Sequence, residues 1–363
     1  MSWNLPDLTW KEEIFVQNDM VKIFRPVFFL FTICGIDPRD PQRRWVLVLA
    51  VVYNVIVWII SFTLIYCTTF EPLHFGPILD IIVNLGHWIM WWLIRIRMKN
   101  IIALVNKLQP LGEDLEFLDY RRFSKMSWVI SFCATFFNCL YPAVSTVQTF
   151  NYRYNRCPLK MLEAEIPEKA IAWFAFNIGI VYINFSIIYA FFSFYILYCF
   201  ILASCLVQRQ RPELVKCRLY KTVIEIFEAM ENTLSIFVLL LFAHFLLRFF
   251  RSLYLLLYAF RVGNLRIPYT DFLDVSMNIA LIVIFVLSAE HAQKMANKFR
   301  LSLLTFRNES QTPDWLKARS IRILEDREQL NLTAWGVFTV RKALLLSVTA
   351  WFFTYSAILI QFA

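Results

Sequence analysis

Seven apolar stretches alternate with polar connections along this chain, at roughly 45–67, 77–97, 127–149, 170–206, 233–260, 272–290 and 343–362. A helix needs about 20 predominantly apolar residues to cross a bilayer, and each stretch approaches or exceeds that length. The pattern predicts an all-α membrane protein with seven transmembrane helices. An eighth apolar stretch, 27–36, is too short to cross. Pro26 precedes it and Asp37-Pro38 stops it, so it reads as a re-entrant, interfacial or simply buried helix. The fourth stretch runs for about 36 residues, roughly 54 Å as a helix, so its inner end is expected to project beyond the hydrocarbon until Arg211-Pro212 breaks it. Residues 213–232 then read as an amphipathic helix leading into the fifth stretch. Residues 291–342 have the same mixed character, with Thr312-Pro313 as a helix start.

The last stretch has the sharpest internal pattern. Ala343, Ser347, Ala350, Thr354, Ala357 and Gln361 recur at steps of three and four, which gathers every one of these small or polar residues on one helix face. Such a stripe either packs tightly on a neighbour or borders water. If it lines a pore, one helix cannot enclose it, and several copies must stand around a shared axis as a cyclic homo-oligomer. A small-residue seam inside a monomer is the competing account.

Polar stripes also mark other segments, toward the ends placed outside below. Asp80, Asn84 and Trp88 are spaced by four. Asn138, Tyr141, Ser145 and Gln148 follow at steps of three and four. Trp173, Asn177 and Asn184 share a face, as do Arg251, Tyr254 and Tyr258. Converging stripes would line a hydrated, aromatic cleft for a small molecule; hydrogen bonding between helices is the alternative. Arg248 and Arg251 lie within the fifth stretch, where an unpaired charge is costly. Asp80 is the acidic residue nearest in depth to Arg251, and an ion pair across the cleft is expected unless Arg251 snorkels to the interface.

Composition strengthens the membrane reading. The 363 residues are 59% hydrophobic and include 36 Phe, with 17% charged, well above the apolar share of soluble domains. The net charge of +9 would suggest nucleic acid in a soluble protein, but the basic residues cluster by loop. Most fall in the N-terminal arm and in the connections after the second, fourth and sixth stretches; none follows the first stretch or the last. The positive-inside rule places the N-terminus in the cytoplasm and the C-terminus outside. The chain is accordingly divided into a cytoplasmic arm with the short helix (1–44), a six-helix ligand-binding region with cytoplasmic extensions (45–290), cytoplasmic helices (291–342) and the seventh helix (343–363). The first 25 residues lack an apolar leader core, so the first span is expected to act as the insertion signal.

Candidate enzymatic chemistry is thin. The four histidines form no HExxH pair, and neither GxSxG nor a Walker loop occurs. Each lone histidine reads as a hydrogen-bonded packing residue. The eight cysteines lack metal spacing; Cys67 and Cys157 share the outer side, either bridged or free. No enzyme activity, cofactor or metal is expected.

Thr354-Tyr355, five intervening residues and then Gln361-Phe362 resemble the TYhhhhhQF signature of insect gustatory receptors. Residues 332–338 (LTAWGVF) resemble that family's Gly-x-Phe approach to the last helix, and 26–38 (PVFFLFTICGIDP) its opening. The resemblance implies a tetrameric, ligand-gated, weakly selective cation channel in the plasma membrane of chemosensory neurons. Ser347, Ala350, Thr354, Ala357, Gln361 and Phe362 would line the pore, with Gln361 and Phe362 at the outer constriction and Tyr355 bracing the helix. A tastant would bind each subunit's outer cleft, and the cytoplasmic extensions would join the subunits. Implied partners are identical or related receptor subunits, a small tastant, permeant cations and membrane lipid, but no nucleic acid. Sugar-sensing members carry Glu after Thr-Tyr; here Ser356 follows, which favours a bitter or other non-sugar compound. Arg341-Lys342 stands where the family often has Asp or Asn. A G-protein-coupled receptor would need the N-terminus outside, and neither an Asp-Arg-Tyr-type nor an Asn-Pro-x-x-Tyr motif occurs in the expected places. A transporter would need Gly/Pro-broken helices, against only 7 Gly in the chain.

Overall fold

The computed structural model describes residues 19–38, 43–70, 75–112, 117–152, 167–207, 213–261, 269–305 and 330–362. The helices are α1 (Asp19–Ile33), α2 (Arg44–Phe70), α3 (Phe75–Asn106), a single turn α4 (Gln109–Gly112), α5 (Phe117–Tyr152), α6 (Pro167–Val207), α7 (Glu213–Arg261) and α8 (Tyr269–Thr305). A hairpin of β1 (Thr333–Ala334) and β2 (Phe338–Thr339) precedes the terminal helix α9 (Lys342–Phe362). Each of the seven apolar stretches lies within a helix. Among the described residues, four helical stretches are long and apolar enough to cross a membrane: Ile78–Leu111, Phe185–Leu206, Leu219–Leu256 and Asp271–Ser302.

Several helices outrun their apolar stretches. The amphipathic 213–232 is not a separate element: it continues into α7, a helix of 49 residues and roughly 73 Å. Polar residues on one flank and apolar residues on the other are compatible with a single helix that leaves the bilayer without breaking.

α6 is the hub. Apolar residues surround it on all sides, the composition of a helix with no solvent face, and 83% of its apolar window is buried within the chain. It packs against α1, α2, α3, α5 and α8. The short apolar stretch at 27–36 settles here. It forms the second half of α1, whose Ile23, Phe24, Val27 and Phe31 are fully buried, so it is a core helix rather than a surface one. Phe24 and Phe194 pack with tilted rings at 5.5 Å between centroids, with Tyr198 beside both. α1 ends on Gly35, at φ +75°, where the Ile36 amide closes back on the Phe31 carbonyl at 3.0 Å. A Cβ on Gly35 would stand 2.4 Å from the Ala50 backbone nitrogen, so both the turn and the approach of α2 require glycine. Trp91 locks the same corner, its indole donating to the Cys34 carbonyl at 2.8 Å.

The outer faces of α2 and α5 carry exposed Val48, Val51, Phe62, Trp128 and Phe132. An apolar band of this extent suits contact with lipid.

Candidate functional site

Two polar features stand out, one buried between helices and one laid along a surface. The buried one is built on α7, where His244, Arg248 and Ser252 follow at intervals of four and so share a face. Arg248 is 5% exposed and ion-paired with Asp274 of α8, itself 1% exposed. Ser252 Oγ donates to the other Asp274 oxygen at 2.5 Å, and Asn278 Nδ2 to its backbone carbonyl at 2.7 Å. The guanidinium also lies over the Phe185 ring of α6, 4.3 Å from the centroid. The edge of His87, from α3, meets that same ring, and His87 Nε2 and His244 Nδ1 share a hydrogen bond of 3.1 Å. Nearby, Arg251 is ion-paired with Asp80 of α3, Nη2 donating to Oδ2 at 3.2 Å, and has Asp271 of α8 at 3.8 Å. Two guanidinium groups and three carboxylates thus tie α3, α7 and α8 together. Burying a charge demands this pairing, since water is not there to solvate it.

Of the residues expected to line a cleft, Asp80 and Arg251 come together as the sequence suggested. Asn84 and Trp88 turn to α2 instead: Asn84 Nδ2 donates to the Val57 carbonyl at 3.3 Å, and Trp88 Nε1 to Asn54 Oδ1 at 3.1 Å. Asn138 donates to the Tyr182 carbonyl at 3.0 Å. All three side chains make bonds between helices. Tyr254 is half-buried. Tyr141, Ser145, Gln148, Trp173, Asn177 and Tyr258 lie outside the described side chains, as do Asn184, Cys67 and Cys157. Asp271, Asp274, Ser252 and the histidine pair were not anticipated as a site. The four-residue interval of His244, Arg248 and Ser252 was the available signal. No group of three or more His, Cys, Asp or Glu suited to a metal ion occurs among the described residues.

The surface feature is α9. It meets the body of the chain, principally α8 and α7, through Leu344, Leu345, Val348 and Phe352, a single narrow face. Ser347, Ala350 and Thr354 are exposed on another side, beside exposed Leu346, Trp351 and Phe353. The hydroxyls of Ser347 and Thr354 are held by carbonyls of their own helix, Ala343 at 3.3 Å and Ala350 at 2.9 Å. Over these residues the stripe is not packed inside the chain. Tyr355 meets the Phe250 ring of α7 edge to face, 5.5 Å between centroids. The side chains of Ala357, Gln361 and Phe362 lie outside those described.

The base of α9 is clamped. Glu290, Gln293 and Asn297 lie on one face of α8, at steps of three and four. Glu290 accepts the Lys342 backbone amide at 2.6 Å and so caps α9. Gln293 donates to the Val340 carbonyl at 2.8 Å, and Asn297 exchanges two bonds of 3.3 Å with the Leu330 backbone. From α7, Glu231 accepts from the Thr333 amide at 3.0 Å and from its hydroxyl, which in turn accepts from the Gly336 amide at 2.9 Å. The hairpin turn puts Trp335 at φ 52° and Gly336 at φ 71°, the left-handed pair of a type I′ turn, closed by Val337 N to Ala334 O at 3.0 Å. This hairpin was not foreseen as strand. It is held by side chains distant in sequence rather than by strand propensity.

The backbone is similar throughout to two solved structures of the insect olfactory receptor OR5 from Machilis hrabei. In complex with eugenol, that receptor superposes with a TM-score of 0.68 at 14% identity, covering 95% of this chain and 100% of that one. The second structure gives 0.63 at 16% identity with the same coverage. No family model matches the sequence, and no curated protein matches it. The fold is thus that of these insect olfactory receptor structures.

Proposed function

We propose that this chain is a subunit of a ligand-gated, weakly selective cation channel of the insect chemoreceptor class, of gustatory rather than olfactory type. The observation that carries the reading is the terminal helix. Ser347, Ala350 and Thr354 face away from the body of their own chain, and the two hydroxyls, which donate to their own helix, keep acceptor lone pairs for a polar neighbour or water. Several copies around one axis would give those residues a shared wet lumen, with Ala357, Gln361 and Phe362 continuing it outward. Tyr355 would brace each helix against α7. The likeness to an olfactory receptor solved with a small aromatic ligand supports the class. The Thr354-Tyr355 and Gln361-Phe362 signature supports the gustatory assignment, and Ser356 a non-sugar tastant.

In this reading the N-terminus is cytoplasmic, 45–290 holds the ligand and 291–342 joins the subunits. The tastant binds a cleft bordered by Asp80, Arg251 and Tyr254, with Tyr141, Ser145, Gln148, Trp173, Asn177 and Tyr258 as further candidates. Asn84 and Trp88 shape its wall through α2. Ligand opens the channel by binding the open arrangement more tightly than the closed one. The test is a compound screen with current recording in cells expressing this chain, wild type beside Gln361→Ala. Altered conductance or rectification with an unchanged half-maximal dose is expected. An identical permeation profile in the variant would remove Gln361 from the constriction.

A further inference from the structure

A groove of about 400 Å³ opens beside the base of α9, walled by Phe200 of α6 and by Leu287, Glu290, His291 and Lys294 of α8, with Lys342 at its edge. It lies on a face of α8 whose character changes abruptly. Ile284, Leu287, His291, Lys294 and Lys298 follow at steps of three and four, and all five are exposed. Ile284 and Leu287 are apolar; His291 follows one turn later, and from Lys294 the same face is basic. Among the described residues the one acid at the groove is Glu290, which already holds Lys342 at 3.3 Å and caps α9, so their surplus charge is positive. An apolar track that becomes a cationic pocket within about two helical turns matches an amphipathic anion: acyl chain along Ile284 and Leu287, headgroup against Lys294 and Lys298.

We propose that this groove binds an anionic glycerophospholipid of the inner leaflet, anchoring the pre-pore segment at the membrane surface. Basic pockets between membrane helices on the cytoplasmic side take such headgroups. A soluble anion would have no use for the apolar half of the face, and a zwitterionic lipid would set a cation of its own beside the lysines, with no net charge to offset theirs. The occupant would touch α6, α8 and the first residue of α9 together, so its binding bears on the same clamp that positions the terminal helix. The inference rests on the transmembrane reading and its inner-facing placement of Lys294, but not on conduction.

The experiment measures binding without current, so its failure is separable from failure of the channel reading. Full-length protein is equilibrated in micelles holding equal phosphatidylserine and phosphatidylcholine, and retained lipid is counted by native mass spectrometry. Wild type is expected to retain phosphatidylserine in excess. Lys294→Gln with Lys298→Gln should lower that preference on the order of tenfold. Lys107→Gln with Lys221→Gln, which removes the same charge from other exposed positions, should keep it. Exposed Lys→Gln changes leave folding nearly unaltered, which monodisperse elution of both doubles checks. No phosphatidylserine preference in wild type, an unchanged preference in the first double, or an equal loss in the second would each overturn the site.

Discussion

The buried network on α7 and the stripe on α9 are both polar rows on apolar helices, yet they end in opposite states. On α7, Arg248 and Ser252 converge on Asp274 and are shielded by Phe185, with His244 against His87. On α9, Ser347 and Thr354 bond among the described residues to their own backbone alone and stay exposed. Charges cannot wait for a partner subunit, because an unpaired guanidinium in hydrocarbon costs several kcal/mol. Hydroxyls can, because the carbonyl four residues back satisfies them. The difference separates polar groups that hold one subunit together from polar groups available to an assembly.

The largest expected effect follows from the first state. Arg248→Ala or Asp274→Ala leaves one charge buried and uncompensated, at a cost of about 3–5 kcal/mol. Either single variant should lose most folded protein, read as monodisperse elution after a temperature series. Arg248→Met combined with Asp274→Leu removes both charges at similar volume and should recover much of the loss. Equal, additive losses in singles and double would mean the two residues do not form the pair described.

A smaller effect is expected between the two regions, at the clamp. Glu231→Ala removes an acceptor for the Thr333 amide and hydroxyl. Hydrogen bonds to a charged group contribute about 1.5–3 kcal/mol each at most, less at this half-buried site. Melting temperature should fall modestly. Maximal ligand-evoked current should fall more than ligand affinity, because the hairpin sets where α9 begins. A variant with normal current and lowered stability would make the clamp purely structural.

How far the sequence carried depended on the range of the interaction. Helix positions follow from local apolar runs, and each run lies in a helix because a membrane leaves the backbone no other local way to satisfy its hydrogen bonds. The Asp80–Arg251 pair was legible because a mid-segment arginine demands an acid at similar depth. Its neighbour Arg248 posed the same demand, but Asp274 sits near the start of its helix and depth alone did not select it. The inter-helix partners of Asn84, Trp88 and Asn138 were not legible, because helical spacing gives a face and not the neighbour that face meets. The hairpin escaped notice because Glu231, Gln293 and Asn297 hold it from up to about a hundred residues away, beyond any window on periodicity.

The smallest effect on stability, and the most direct probe of the second state, belongs to Thr354→Val. The change conserves shape, removes one hydroxyl from an exposed position and should shift stability by no more than about 0.5 kcal/mol. Inside a packed seam it would leave permeation unchanged. Along a wet lumen it replaces a hydrogen-bonding group with a methyl at a place that permeant cations and their waters must pass. Single-channel conductance should therefore drop while half-maximal dose and melting temperature stay near wild type. Thr349→Val is the internal control: its hydroxyl also bonds to its own helix, at 2.8 Å to Leu345, but from a position outside the stripe. If both substitutions alter conductance alike, the spacing of small residues has no bearing on permeation. If only Thr354→Val does, the face that is unpartnered within one subunit is the face that ions meet.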